Sequence, residues 1–354
     1  MTTTTRELMR GNEALAEAAI QAGCRCFFTY PITPATEILE YMAVRMPEVG
    51  GVFLQPESEL AAINMSLGAA CAGKRVMTSS SSPGISLMQE GISGLAASQL
   101  PCVIVNIMRG GPGLGSVSPA QGDYFQATKG GGNGDYRLIA LAPASVQEMA
   151  DLTVLAFDLA DRYRNPAIIL TDGMVGQMME PVVWPEITPD VPEKEWATTG
   201  AAGRERNLIL AAPVDVPGLI ELNKSLAAKY AEIAAKEQRW EAYLADDAEI
   251  VLVAFGTAAR VAMEAIEEAR AEGLPVGLIR PITLWPFPHR AFENLPAARG
   301  VLTVEMSAGQ MVEDVRLAIN GRIPVHFYGL GGGWVPDAES VRQVIDDLYV
   351  ELCQ

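Results

Sequence analysis

The chain has 354 residues, 49% of them hydrophobic and 19% charged, and its 26 basic and 43 acidic side chains leave a formal net charge of −17. That length exceeds one ordinary core and predicts roughly two to three domains; the acidity argues against nucleic acid and membrane surfaces, which need clustered Lys and Arg. Two histidines (His289, His326) and five cysteines without a CxxC pair exclude a histidine-rich metal site, a Ser/His/Asp triad in the N-terminal half and an iron–sulfur ligand set.

From residue 12 to 175, strand-like and helix-like segments alternate. Strands are predicted at Cys24–Tyr30, Gly51–Gln55, Arg75–Ser79, Cys102–Met108, Leu138–Leu141 and Ala167–Thr171, where short apolar or β-branched runs end in turn residues. Helices are predicted between them, at Asn12–Ala22, Ser58–Ala72, Ile85–Ser98 and Ser145–Tyr163. The last opens on Ser145 and Glu148, a capping-box spacing. Such alternation implies an α/β fold with a doubly wound, mostly parallel sheet covered on both faces. Its ligands belong beyond the carboxyl ends of the strands.

From about Glu180 the prolines Pro181, Pro185, Pro189 and Pro192 break regular structure, and the stretch to about Pro217 reads as an extended connector. Residues 218–245 read as one long docked helix, with Leu219, Leu222, Leu226, Tyr230, Ile233 and Trp240 near helical spacing. A second, smaller α/β unit follows, with strands at Ile250–Phe255, Pro275–Ile279, Val301–Val304 and Val325–Tyr328. The expected division is therefore 1–179, a connector with a long helix at 180–245, and 246–354. No apolar stretch reaches membrane-spanning length and the N-terminus does not read as a signal peptide, so the chain reads as cytoplasmic. Cys24, Cys26, Cys71, Cys102 and Cys353 lie mostly in apolar runs and read as buried reduced thiols.

Two motifs mislead. Gly68-Ala-Ala-Cys-Ala-Gly73-Lys74 matches the front of a phosphate-binding loop, but Arg75 replaces the magnesium-holding hydroxyl and a helix precedes it, so a helix end capped by Gly73 is the better account. The glycine runs 110–115 and 130–134 do not fit GxGxxG; they are surface loops or places where backbone approaches a ligand or another chain.

Four strand ends carry unusual polar residues. Tyr30-Pro31-Ile32-Thr33-Pro34 is an abrupt turn in which Thr33 either caps the next helix or offers its hydroxyl to a ligand. In Gln55-Pro-Glu57-Ser58-Glu59 two acids stand at a helix opening, where the macrodipole favours them. Thr78-Ser-Ser-Ser-Ser-Pro83-Gly84 supplies hydroxyls, Ser81 and Ser82 among them. Arg109 ends an apolar strand, a costly place for a cation unless it meets a carboxylate of the protein or of a substrate.

Together YPITP, PESE, TSSSSPGISLM, VNIMRGGPG and Gly122-Asp123-Tyr124, followed by Arg280-Pro-Ile-Thr-Leu-Trp-Pro286 and Val304-Glu-Met-Ser-Ala-Gly-Gln310, resemble the thiamine-dependent 2-oxoacid:ferredoxin oxidoreductases over the whole chain. The likeness is greatest to the alpha-type subunit of the branched-chain (2-oxoisovalerate) enzymes, with the 2-oxoglutarate enzymes near neighbours. The resemblance implies a thiamine diphosphate-binding pyrimidine domain followed by a transketolase C-terminal-like domain. Glu59 then matches the glutamate that bonds the aminopyrimidine and favours the imino tautomer, which takes the thiazolium C2 proton. Thr33 and Arg109 match substrate-binding residues, and Pro31, Ile32, Ser81 and Ser82 join Glu59 around the cofactor.

The resemblance also implies oxidative decarboxylation of a 2-oxoacid, capture of the acyl group by coenzyme A and passage of single electrons through iron–sulfur clusters to ferredoxin. No GDG-type magnesium and diphosphate motif and no cluster cysteines are present. A beta subunit is thus expected to hold the diphosphate and Mg2+, with gamma and ferredoxin-like subunits and [4Fe-4S] clusters elsewhere in the complex. Apolar Ile32, Met108 and Leu114 favour a branched-chain acid; for 2-oxoglutarate, Lys74, Lys129 and Arg137 are the candidate second cations. The other classes are a non-catalytic scaffold subunit and an autonomous thiamine enzyme, the latter opposed by the missing diphosphate-binding domain.

Overall fold

The computed structural model describes residues 6–184, 189, 191–210, 213 and 215–353, with the side chain of Cys353 outside that description. The N-terminal threonines and Pro185 of the expected connector also lie outside the described residues. Fourteen strands are formed among them: β1 Arg6–Arg10, β2 Cys26–Phe28, β3 Val52–Leu54, β4 Val76–Ser80, β5 Val103–Met108, β6 Ile139–Leu141, β7 Ala167–Asp172, β8 Met179–Val183, β9 Trp240–Tyr243, β10 Ile250–Val253, β11 Val276–Pro281, β12 Thr283–Trp285, β13 Gly300–Glu305 and β14 Val325–Gly329.

The larger sheet has seven strands in the order β12-β6-β7-β5-β4-β2-β3, all parallel except β12. Every residue of β5 and β7 is buried, as expected of central strands covered on both faces. The helix Gly11–Gln21 lays Ala14 and Ala18 against Val146 and Ala150 of the helix Val146–Tyr163, small residues that let the two backbones approach. Ser145 caps the latter by accepting from the Glu148 amide at 3.2 Å. The Glu148 carboxylate bonds the Ala144 amide instead of returning to Ser145, and it also clamps Arg280 through two bonds of 2.9 and 2.6 Å.

The smaller sheet is β14-β13-β10-β11-β9, parallel apart from β9. The two units are bolted together by buried polar contacts. Gln121 donates to the Phe255 carbonyl and accepts from the Met306 amide, Tyr124 donates to Asp314, and Asp172 accepts from the Thr257 hydroxyl and amide.

Three segments differ from the sequence reading. The helix expected over 218–245 spans Val216–Lys236 and stops because Glu237 is taken up by the Tyr163 hydroxyl and by Arg239; Trp240–Tyr243 then joins the sheet edge, where Glu241 pairs with Arg280. Across the expected boundary at 179/180, Met179–Val183 pairs with β1 in a two-stranded ribbon, where Pro181 costs little because an edge tolerates a missing donor. Thr283–Trp285 leaves the smaller unit to pair antiparallel with β6. The Gly68–Lys74 segment is a helix end as expected: the helix Glu59–Cys71 is followed by Gly73 at φ +77°.

Candidate functional site

The chain leaves β2 for β3 on one side and then returns to β4 on the other, so the carboxyl ends of β2 and β4 diverge. A reversal of strand order opens a crevice at that edge. All the singled-out strand ends meet there: 30–34 after β2, 55–59 after β3, 80–84 after β4 and Arg109 after β5.

Thr33 does not cap the helix Thr36–Glu48, whose first flanking residue is Ala35; its side chain is exposed at the crevice. Pro31 is also exposed, and Ile32 is half-buried with its carbonyl accepting from the Ala35 amide at 2.9 Å. Ser58 caps the helix Glu59–Cys71 by accepting from the Ala61 amide, so neither glutamate is needed for that end. Glu57 is exposed, whereas Glu59 is only 6% exposed and makes no hydrogen bond to the described residues. Its carboxylate lies against Gly84, where an added Cβ would stand 2.6 Å from Oε1 and 2.0 Å from the Ser80 hydroxyl. A buried carboxylate without a partner is expensive and marks a place for a donor from outside the chain.

The hydroxyls around it tell the same story. Thr78 Oγ1, Ser80 Oγ and Ser81 Oγ are buried and unpartnered, and Ser81 flanks the 16-residue helix Ser82–Ala97 without capping it. Ser82 is occupied: its amide donates to Asn106 Oδ1, and its hydroxyl bonds Asp123 at 2.6 Å and accepts from the Arg109 amide at 3.0 Å.

Arg109 is 7% exposed and has no carboxylate partner among the described residues. Nη1 donates to the Thr33 carbonyl at 2.9 Å, Nη2 to the Leu114 carbonyl at 2.8 Å, and Nε has no partner. Carbonyl oxygens orient the guanidinium without neutralising it, so its charge remains available to an anion.

Asp123 and Asn106 were not singled out as site residues from the sequence. Asp123 Oδ2 also accepts from Asn106 Nδ2 at 2.9 Å, and burial pushes its carboxyl up despite these two bonds. Asp123 lines a cleft of about 490 Å³ with Ser82, Gly111, Met306, Ser307 and Gly332, between the two units. The only signal for it was its place in the Gly122-Asp123-Tyr124 segment.

The remaining candidates lie apart. Lys129 pairs with Asp314, Arg137 donates to the carbonyls of Lys129 and Tyr136, and Lys74 is exposed before the amino end of β4, opposite the crevice. Burial pushes the Cys24 thiol up to about 12 and raises those of Cys26, Cys102 and the half-buried Cys71, which favours the protonated form. No group of three or more His, Cys, Asp and Glu side chains converges as for a metal among the described residues, and no helix there is long and apolar enough to cross a membrane.

Residues 17–244 match the family described as pyruvate flavodoxin/ferredoxin oxidoreductase, thiamine diphosphate-binding, and residues 248–341 match pyruvate:ferredoxin oxidoreductase core domain II. The chain is 52% identical to the ketoisovalerate oxidoreductase subunit VorB of Methanothermobacter thermautotrophicus, over 96% of this chain and 98% of that one. It is 38% identical to the 2-oxoglutarate synthase subunit KorA of Methanocaldococcus jannaschii, over 87% and 90% of the two chains. Among solved structures it superposes with a TM-score of 0.87 and 26% identity on the 2-oxoglutarate:ferredoxin oxidoreductase of Magnetococcus marinus, determined with 2-oxoglutarate, coenzyme A and succinyl-CoA bound. That match covers 98% of this chain and 66% of the other.

Proposed function

The chain belongs to the thiamine diphosphate-binding pyruvate flavodoxin/ferredoxin oxidoreductase family, and on that premise we propose that it is the pyrimidine-binding subunit of an acyl-CoA-forming 2-oxoacid:ferredoxin oxidoreductase acting on branched-chain 2-oxoacids of the 2-oxoisovalerate type. It works in the cytoplasm within a complex. A beta subunit holds the diphosphate and Mg2+, gamma and ferredoxin-like subunits complete the assembly, and [4Fe-4S] clusters on these partners carry electrons to ferredoxin. Residues 1–179 form the pyrimidine-binding part, 180–245 the connector with its helix and 246–354 the transketolase C-terminal-like part.

The observation that carries this reading is the pairing of two buried ionisable side chains at one crevice, Glu59 without a hydrogen-bond donor and Arg109 without a carboxylate among the described residues. Glu59 with the idle Ser81 hydroxyl suits a nitrogen-rich ring inserted beside Gly84, with Pro31, Ile32 and Ser82 forming the surrounding wall. Thiamine diphosphate, when bound, supplies the nucleophilic carbon and the electron sink that decarboxylation of a 2-oxoacid needs. Glu59 holds a proton at the pyrimidine ring nitrogen, Arg109 binds the substrate carboxylate, and Thr33 offers its hydroxyl near the reacting carbonyl. A scaffold that had lost the chemistry would gain nothing from keeping two such charges buried.

A dicarboxylate needs a second cation near its tail. Lys129 and Arg137 are engaged elsewhere and Lys74 lies at the opposite edge, which favours an aliphatic acid over 2-oxoglutarate. The test is substrate-dependent reduction of a low-potential viologen by the natively purified complex with coenzyme A. Fastest reduction with 2-oxoisovalerate is expected. Preference for 2-oxoglutarate would overturn the substrate class, and no reduction with any 2-oxoacid in a cofactor-loaded complex would overturn the activity.

A further inference from the structure

The loop after β5 is more ordered than its glycine content suggests. Gly110 donates to the Ser118 carbonyl at 2.9 Å, Ser116 donates to the Gly110 carbonyl at 2.8 Å, and Arg109 bridges to Pro119, so the loop is closed at its base. Gly113 and Gly115 flank Leu114 at φ +69° and +63°, a conformation that L side chains rarely adopt. A Cβ on Gly115 would come 1.7 Å from the Gly110 carbonyl oxygen. Leu114 is therefore held in place from both sides, and its own carbonyl is fixed by Arg109 Nη2.

Yet Leu114 as a residue is 79% exposed, more than any other large hydrophobic of the described residues. Of the three apolar residues near the crevice, Met108 is fully buried and Ile32 packs against the core. Of these three, Leu114 has the most uncovered surface, Ile32 keeping only part of its own. A rigidly placed leucine beside an unneutralised guanidinium suits a ligand that is anionic at one end and aliphatic at the other.

We infer that Leu114 is the residue of this chain that selects the substrate tail, packing on the aliphatic side chain of the 2-oxoacid whose carboxylate Arg109 holds. The inference rests on the function proposed above. A methylene or two in an apolar pocket changes selectivity by about ten- to a hundredfold. A cation at the same position would instead meet the distal carboxylate of a dicarboxylic acid.

The experiment compares the assembled complex carrying Leu114→Ala or Leu114→Lys with the parent, by viologen reduction with coenzyme A. Leu114→Ala is expected to lower the kcat/KM ratio of 2-oxoisovalerate to 2-oxobutanoate about tenfold or more, and Leu114→Lys to raise 2-oxoglutarate relative to 2-oxoisovalerate by a similar factor. Equal losses on both acids, or unchanged ratios in an active complex, overturn the tail contact. Failure of the variants to assemble, read by size-exclusion chromatography, also overturns it and assigns Leu114 to a subunit interface. A parent complex inactive with every 2-oxoacid removes the proposed function itself, an outcome distinct from a working parent whose variants keep its selectivity.

Discussion

Arg109 Nη1 donates to the carbonyl oxygen of Thr33 at 2.9 Å, joining strand ends that are 76 residues apart in sequence. The cation that would hold a substrate carboxylate is thus aimed by the same turn that presents the Thr33 hydroxyl. Arg109→Lys keeps a charge but loses the planar fork that reaches Thr33 and Leu114 together. The expected result is a KM for the 2-oxoacid raised about ten- to a hundredfold, in line with the cost of charge-assisted bonds. Steady-state kinetics on the assembled complex checks this; an unchanged KM would remove Arg109 from substrate binding.

Glu59→Gln preserves shape and removes the acid. Because Glu59 caps nothing and bonds nothing among the described residues, thermal stability should hold or rise slightly. Decarboxylation should fall by about 10²–10⁴, the usual worth of a positioned acid or base. Carbon dioxide release in a single turnover would separate this from slow electron transfer, and normal release would dismiss the role.

Gly84→Ala tests the cradle beside Glu59. Its Cβ would overlap the Ser80 hydroxyl at 2.0 Å and crowd Glu59 Oε1 at 2.6 Å. Overpacking of this kind costs about 1–3 kcal/mol. The prediction is weakened thiamine diphosphate binding by isothermal titration. Adding Ser80→Ala should return part of the stability but not the binding, since the Glu59 contact persists.

Burial raises the Asp123 carboxyl above its usual 3.8, outweighing the bonds from Ser82 and Asn106. The folded chain then keeps this proton to higher pH than the unfolded chain does. Its contribution to stability is full below the ordinary value and is lost as pH climbs towards the raised one. Asp123→Asn does not titrate, so its urea midpoint relative to the parent should rise through that window and then level off. A pH-independent difference would show that Asp123 is not the group responsible.

The six parallel strands of the larger sheet were legible because buried parallel strands read as short apolar runs, and Cys102–Met108 did so throughout, whereas the helix Thr36–Glu48 was not singled out. Thr33, Glu59 and Arg109 were legible as polar residues at strand ends, and their meeting followed from the sheet order. The strand Thr283–Trp285 was not, since a three-residue run takes its structure from a distant partner, β6. Trp240 misled because an apolar residue at helical spacing also suits an edge strand. Asp123 was silent because its partners, Ser82 and Asn106, stand 41 and 17 residues away.

The strand Thr283–Trp285 also has a consequence for biosynthesis. It covers the β6 edge of the larger sheet, although Leu141 leaves the ribosome long before Thr283 is made. Until then the nascent sheet presents a bare row of amides and carbonyls, the kind of edge that pairs with other chains. Any product that terminates before Trp285 keeps that edge open permanently, however well its own core is formed. The larger sheet is finished only when the second half of the chain has mended the first.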